Sequence, residues 1–351
     1  HKVVLKVKFR LDKRAIYSKI IKGVLNTMAK EITTEQIEML EEMVARARKA
    51  AAIIETYDQD RVDHLCQAVA AALYDLKVWA QLSDEAVDET NLGDKVTKRN
   101  KRNKLKLILR DCMRSKSVGT IEEIPEKGLV KYAKPVGVIA SLVPTTNPCL
   151  TPAGQVIYAI KARDVIICSP HPRAEVVTNK CIDIIREVLL REGAPADIIQ
   201  GIQQPSIALT QELMKRCDLV IATGGRPMVK SAYSSGTPAY GSGAGNATVI
   251  IDNTADTPER QREAAQNTRI SKTSDFGSGC SCDGNLVIHE SIYDKMVDAL
   301  KAEGGYLANE EEAEKLKSVM WDEMGHRLPG TVAISPQKLA EAAGFEIPED
   351  R

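Results

Sequence analysis

The chain has 351 residues, which allows two or more domain-sized units, because a single hydrophobic core stops growing at roughly 250–300 residues. Its 48 Lys and Arg balance its 48 Asp and Glu, so the overall charge gives no reason to expect nucleic acid or an anionic membrane as a partner. The sequence has no run of about 18 apolar residues, and we therefore predict a soluble protein that does not enter a membrane.

The N-terminal segment differs in composition from the rest of the chain. Residues 1–27 are strongly basic and precede Met28, where the composition changes to MAKEITTEQIEMLEEMVARARKAAA. We interpret residues 1–27 as a leader that is not native to the protein. The alternative is a basic amphipathic helix used for targeting or packaging.

Helical periodicity and a charged run follow. Apolar residues recur at helical spacing over residues 33–79, which predicts a pair of helices. The charged run at 94–107, DKVTKRNKRNKLKL, is interpreted as a solvated helix face or connector. Its apolar anchors would be Val96, Leu105 and Leu107. Nucleic-acid binding is the alternative interpretation of the same run.

The middle of the chain alternates between apolar strands and helices. Residues 120–134 read as strands that leave the core. After Gly128 the pattern predicts strands ending at PTTNP, SPHPRA and ATGG, a short strand at 198–202, and helices at 149–161, 174–192 and 206–216. Such alternation predicts βαβ units and a parallel sheet covered on both faces. Ligands of such sheets bind at the carboxyl ends of the strands, where these polar segments lie.

Two glycine-rich segments are candidates for cofactor binding. In ATGGRPMVKSAYSSG, a helix beginning near Arg226 would offer its N–H groups and its positive dipole end to a phosphate. Gly241, Gly243 and Gly245 precede a strand and not a helix, so they do not form the usual dinucleotide motif. From spacing alone, a tight turn remains the alternative for these glycines.

Two of the eight cysteines, Cys280 and Cys282, lie close together in a loop of Gly and Ser residues. A metal clip would need further ligands, which the sequence does not place nearby, and a disulfide closed over one residue would be strained. A nucleophile presented by small neighbours and an ordinary glycine-rich loop both stay open. The other cysteines lie mostly in apolar or helix-like stretches, which predicts reduced thiols and a cytoplasmic location.

Four segments, in this order, carry a resemblance to a known family: KPVGVIASLVPTTNP, ICSPHPRA, IATGGRPMVKSAYSSGTPAYGSGAGN and KTSDFGSGCS. They resemble the acylating, coenzyme-A-dependent branch of the aldehyde dehydrogenase superfamily. The resemblance implies an α/β fold that is aldehyde dehydrogenase-like, with a parallel-sheet Rossmann-type cofactor domain at 28–255 and a partial α/β catalytic domain at 256–351. It also implies that the strands at 120–134 pair subunits into a homodimer or larger homo-oligomer, and that the catalytic domain is truncated.

The resemblance assigns site residues as well. Cys280 matches the family's nucleophile, and Cys282 would be only its neighbour. Asn147 and the backbone N–H of Cys280 would hold the oxyanion, and no metal is expected. The matched cofactor-binding residues are Pro144, Thr145, Thr146, Ser169, Pro170, His171, Gly224, Gly225, Gly243 and Gly245.

The implied reaction is the reversible oxidation of a short aldehyde, of acetaldehyde, propionaldehyde or sulfoacetaldehyde type, to its acyl-CoA through a cysteine thioester. The cofactor would be NAD, with NADP as the alternative, and coenzyme A would be the co-substrate. The segment GSGAGN lacks the glutamate with which hydrolytic relatives activate water. A carboxylate-forming enzyme and a noncatalytic assembly protein are the alternatives. Lys272 and Arg269 are interpreted as solvated loop charges, with anion binding as the other interpretation, and a bacterial microcompartment is compatible with this branch.

Overall fold

The structure, a computed structural model, describes residues 32–243 and 245–350. The basic segment 1–27 lies outside the described residues, so its interpretation stays a prediction. Within the described part of the chain, no helix is long and apolar enough to cross a membrane.

The chain begins with three helices: α1 (Thr34–Ile54), α2 (Gln59–Tyr74) and α3 (Leu76–Thr90). The predicted pair is therefore a triplet that continues beyond residue 79. Asp58 and Asp75 explain the breaks, because each caps the next helix by accepting hydrogen bonds from its first-turn N–H groups. Thr33 and Gln36 form a reciprocal capping box at the start of α1.

The charged run folds into α4 (Lys95–Asn100) and α5 (Asn103–Met113). Its interpretation as a solvated face with three apolar anchors is wrong in part. Only Leu105 is buried, whereas Val96 is 70% exposed and Leu107 is 49% exposed. Lys98 and Lys101 are buried instead, at 5% and 8% exposure. The inward face of this segment is therefore cationic.

The predicted parallel sheet is confirmed. Its five strands lie in the order β5-β4-β3-β6-β7. They are β3 (Val138–Leu142), β4 (Val165–Ser169), β5 (Ile199–Gly201), β6 (Leu219–Thr223) and β7 (Ala239–Ser242). Every residue of β3 and β4 is buried, which explains their continuous apolar sequences.

Helices cover both faces of this sheet. The connections are α6 (Leu150–Ala162), α7 (Glu175–Arg191), α8 (Ile207–Arg216) and α9 (Arg226–Tyr233). α6 and α7 pack on one face with α2, and α1 packs with α8 on the other. The strand order reverses direction between β3 and β6, which creates a crevice at their carboxyl ends.

Two smaller units complete the fold. β1 (Thr120–Ile124) and β2 (Leu129–Tyr132) form an antiparallel hairpin, as predicted for 120–134. β8 (Ala247–Ile251) and β9 (Asp283–Ile288) form a parallel pair that packs with α10 (Pro258–Thr273) and α11 (Tyr293–Ala302). α12 (Glu310–Met320) and α13 (Pro336–Ala342) follow. β8 therefore belongs to the β8–β9 pair and not to the five-stranded sheet. The domain division at residue 255 stays a prediction.

Candidate active site

The carboxyl edge of the five-stranded sheet gathers most of the predicted cofactor residues. Residues 144–146 follow β3, residues 170–171 follow β4, residues 224–225 follow β6, and Gly243 follows β7. Parallel strands present their carboxyl ends at one edge, so these segments surround the crevice between β3 and β6. Gly245 lies further on, just before β8.

The side chains at this edge are not equally available to a ligand. Ser169 is buried, and its hydroxyl is paired with that of Thr210 at 2.7 Å. Pro170 is buried as well, whereas His171 is exposed. Ser169 and Pro170 therefore shape the edge and leave His171 facing outward.

The start of α9 suits a phosphate group. Gly225 is its N-cap residue, and no side chain accepts a hydrogen bond from the first-turn N–H groups of this helix. Those donors and the positive dipole end remain available at the crevice. The edge therefore fits the pyrophosphate of a dinucleotide.

The second glycine segment packs against the loop that carries the two cysteines. A side chain built on Gly245 would lie 3.8 Å from the backbone oxygen of Cys280, and one built on Gly284 would overlap Asn246. Gly245 and Asn246 thus lie beside the cysteine loop, and the contact of Gly284 with the Asn246 side chain leaves no room for a Cβ.

The cysteine loop leaves α10 through a left-handed turn. Asp275 and Phe276 have φ angles of 53° and 48°, and Gly277 continues the turn at 67°. Non-glycine residues rarely adopt this conformation, so the surrounding contacts must hold it. The Asp275 N–H donates to the Thr97 hydroxyl at 2.6 Å, and the Asp275 carboxylate accepts from the Asp94 N–H at 3.1 Å. The loop is therefore fixed to α4.

The two loop cysteines differ in exposure. Cys280 is exposed. Its backbone N–H donates no hydrogen bond to any of the described residues. Cys282 is half-buried, and its thiol faces the Gly277 carbonyl at 3.2 Å. Within the described residues, no group of side chains could hold a metal ion. The loop therefore presents one thiol to solvent.

The remaining six cysteines are buried and form no disulfide. Burial raises the pKa of the Cys112 thiol to about 11, and it raises those of Cys168 and Cys217 to about 12. Buried thiols of this kind are inert, because the thiolate is the reactive form. Cys280 is the one cysteine of the described residues whose side chain is exposed.

A buried cluster of charges lies beside this loop. Asp275 is fully buried, and its carboxylate contacts the Lys101 ammonium at 2.5 Å and the Lys98 ammonium at 3.3 Å. Burial lowers the pKa of the Lys101 ammonium, although the Asp275 carboxylate opposes the change. Gly93 completes the cluster, because a side chain at that position would overlap the Asp275 carboxylate.

Lys101 connects Asn147 to the cysteine loop. Its ammonium donates to Asn147 Oδ1 at 2.9 Å and to the Ser278 hydroxyl at 3.2 Å. An ammonium has donors and no acceptor, so the amide oxygen of Asn147 must face it. The Asn147 amide NH₂ therefore points away from Lys101 and remains available as a donor.

Asn147 also borders a narrow recess of about 20 Å³, roughly enough for one water molecule. We call it the Asn147 recess. It is lined by Trp79, Leu82, Ser83, Ala86, Lys98, Lys101, Thr146, Asn147, Pro148, Cys149 and Leu150.

The sequence reasoning missed Lys98 and Lys101 as members of the site. Their spacing of three residues, which puts both on one helix face, was the available signal.

Lys272 and Arg269 lie at the end of α10 and not in a loop. Lys272 is exposed, and Arg269 pairs with Glu303 at 3.1 Å.

The chain is similar to several known proteins. The profile described as "Aldehyde dehydrogenase family" matches residues 19–315. A sulfoacetaldehyde dehydrogenase from Acholeplasma sp is 41% identical over 319 residues, which cover 89% of this chain and 64% of that protein. A sulfoacetaldehyde dehydrogenase (acylating) from Bilophila wadsworthia is 39% identical over 319 residues, covering 89% of this chain and 68% of that protein.

The fold also matches solved structures. An acetylating aldehyde dehydrogenase from Geobacillus thermoglucosidasius superposes with a TM-score of 0.85 and 36% identity. The match covers 92% of this chain and 70% of that one. The chain thus spans about two thirds of the length of the proteins it resembles.

Proposed function

The chain belongs to the aldehyde dehydrogenase family, and from this premise we propose that it takes part in the CoA-acylating oxidation of a short aldehyde. The similar proteins named acylating or acetylating support this branch of the family. The chain spans 64% and 68% of the length of two of these relatives.

One observation carries the proposal. The Lys101 ammonium contacts both Asn147 Oδ1 and Ser278 Oγ, and Ser278 lies two residues before the exposed thiol of Cys280. The same contact turns the amide NH₂ of Asn147 away from Lys101. A donor for an oxyanion and a nucleophile are thereby held through one shared group, as acyl transfer requires.

Cys280 acts as the nucleophile in this mechanism. Its thiolate attacks the aldehyde carbon, and the carbonyl π electrons move to the oxygen. The Asn147 amide and the Cys280 backbone N–H donate to that oxyanion, each contributing about 10²–10³ in rate. A dinucleotide, NAD(P)⁺, held at the carboxyl edge would supply the acceptor for the hydride that leaves the adduct carbon, and the oxyanion would re-form the carbonyl of a thioester on Cys280.

The carboxyl edge of the sheet would hold the dinucleotide. The N–H groups at the start of α9 would bind its pyrophosphate, since Gly224 and Gly225 leave the helix start open. Residues 144–146 would lie on the nicotinamide side, and residues 169–171 on the adenosine side. NAD and NADP both fit this description.

The acyl group is then passed to the thiol of coenzyme A. The thiolate of CoA attacks the thioester carbon, the bond to Cys280 Sγ breaks, and the Cys280 thiolate is regenerated. Gly245 and Asn246, which lie beside the cysteine loop, offer no carboxylate to activate water. A thiol acceptor is therefore favoured over water.

A second copy of the chain is proposed as the partner of the β1–β2 hairpin. Ile121, Leu129, Val130 and Tyr132 of this hairpin are 42–63% exposed. An isolated two-stranded hairpin is at best marginally stable in water, so a covering surface would stabilise it. Pairing of subunits through this hairpin would give a homodimer or larger homo-oligomer.

The test measures NADH formation from short aldehydes with and without coenzyme A, with Cys280→Ala and Cys282→Ala as a matched pair of variants. We expect CoA-dependent turnover that the first variant abolishes and the second retains. Formation of the carboxylate without coenzyme A, or turnover that survives Cys280→Ala, would refute the proposal.

A further inference from the structure

Residues 89–94 lie where α3 ends and α4 begins, and we call them the α3–α4 corner. Asn91, with a left-handed φ of 55°, is the C-cap residue of α3. The Asp94 side chain caps α4, because it accepts from the Thr97 N–H at 2.8 Å. The corner is therefore fixed to a helix at each end.

One side of the corner binds the chain that follows β4. The Glu89 carboxylate accepts from the N–H groups of Val176 and Val177 at 2.9 and 2.8 Å. These N–H groups belong to the first turn of α7, where the helix itself provides no acceptor. The Thr90 carbonyl accepts from the Arg173 guanidinium at 2.7 Å. The corner thus holds the connection between α7 and the residues proposed for the adenosine side.

The other side of the corner binds the cysteine loop. The Asp94 N–H donates to the Asp275 carboxylate at 3.1 Å, and the Asp275 N–H donates to the Thr97 hydroxyl at 2.6 Å. Asp275 is fully buried and has the left-handed φ of 53° from which the loop begins. The same corner therefore determines where the loop that presents Cys280 starts.

Hydride transfer requires a fixed placement of the dinucleotide relative to the adduct on Cys280. The reacting atoms must lie about 3–3.5 Å apart, and a misplacement of about 1 Å can lower the rate about 10²-fold. Because the corner contacts both the adenosine side and the cysteine loop within residues 89–94 and α4, it is suited to set this placement.

We propose that Glu89 is a positioning residue, which acts through the start of α7 to place the adenosine half of the dinucleotide relative to Cys280. This proposal rests on the proposed function and adds a residue to it. Without the Glu89 carboxylate, two N–H groups of α7 lose their acceptor, so the connection after β4 can shift while each half of the site stays folded.

The first experiment needs no turnover. Its probe is ADP that carries a bromoacetamide on the terminal phosphate, so that the Cys280 thiolate forms an S–C bond and displaces bromide. The rate constant at saturation, divided by that of free bromoacetamide, gives the effective concentration of the bound probe at Cys280. Glu89→Ala should lower this effective concentration about tenfold. It should leave the Kd for ADP and the rate with free bromoacetamide unchanged within about twofold, as a change of placement alone requires.

Two variants serve as controls. Glu85→Ala is the matched control, because Glu85 lies one turn earlier on α3 and pairs with Lys180 of α7 at 2.5 Å. It connects the same two helices without binding the first turn of α7, and its loss should leave the effective concentration unchanged. Glu89→Gln keeps one acceptor oxygen for one of the two N–H groups, and it should lower the effective concentration only about threefold.

The second experiment measures NADH formation from propionaldehyde with coenzyme A present. Glu89→Ala should lower kcat about tenfold and change KM for NAD⁺ little, whereas Glu85→Ala should change neither. An unchanged effective concentration in Glu89→Ala, or a loss of ADP binding in that variant alone, would overturn the positioning role and leave the proposed function standing. A lowered effective concentration in Glu89→Ala, without CoA-dependent turnover in the unmodified protein, would overturn the proposed function and retain the role of Glu89 in placing the nucleotide.

Discussion

Replacing Gly93 with alanine tests whether the buried charge cluster of Lys98, Lys101 and Asp275 stabilises the fold. Gly93 has a φ of 76°, and an added Cβ would overlap the Asp275 carboxylate. The left-handed backbone alone costs alanine roughly 1–2 kcal/mol. The overlap must also move the carboxylate away from Lys98, Lys101 and the Asp94 N–H, and disrupting a buried ion pair costs about 3–5 kcal/mol.

Gly119→Ala is the matched control for this prediction. Gly119 has a similar φ of 71°, but an added Cβ there meets nothing within 4 Å. The control therefore isolates the backbone term, and the difference between the two variants measures the displacement of Asp275. We expect Gly93→Ala to be less stable than Gly119→Ala by about 3 kcal/mol or more.

The assay is urea unfolding, monitored by the fluorescence of tryptophan, including that of the buried Trp79. Comparison of the free energies of unfolding requires equal slopes with urea concentration in both variants. Equal stability of Gly93→Ala and Gly119→Ala, within about 0.5 kcal/mol, would refute the role assigned to the cluster.

Three further predictions concern the site and its surroundings. Lys101→Met should lower kcat by about tenfold or more and change KM little, because the Asn147 amide loses the contact that orients it. Steady-state kinetics measures both constants, with the surface variant Lys95→Met as the control. Iodoacetamide at pH 8 should modify Cys280 first and leave buried thiols such as Cys112 unmodified. The pKa of the Cys112 thiol, about 11, keeps that thiol protonated at pH 8. Mass spectrometry before and after denaturation measures the modification of each cysteine. Val130→Glu in the exposed hairpin should shift a homo-oligomer towards smaller species in sedimentation, and an unchanged distribution would contradict the pairing role of the hairpin.

The sheet could be predicted because its signal is local. β3 and β4 are buried along their whole length, so their sequences are continuous apolar runs that a surface strand would not tolerate. The segments after the strands then followed from topology, because carboxyl ends of parallel strands share one edge. The third helix, α3, was missed because the break at Asp75 depends on a cap and not on a change of periodicity.

The charge cluster could not be predicted in the same way. The sequence predicts that Lys98 and Lys101 face solvent, because their neighbours in the chain are Lys, Arg and Asn and include no carboxylate that could pair with them. Their counter-charge, Asp275, lies 174 residues after Lys101. Only the folded chain brings the lysines and Asp275 together.

The distance along the chain between Lys101 and Asp275 has a consequence for synthesis on the ribosome. At roughly 5–20 residues per second, about 9–35 s pass between translation of Lys101 and translation of Asp275. During that interval the first core has two ammonium groups and no carboxylate for them, so we expect α4 to stay solvated. A chain ending before residue 258 should therefore show rapid hydrogen exchange in α4, and slow exchange there would argue against this order of assembly. The cysteine loop would then reach its reactive position in the same step that neutralises the lysines.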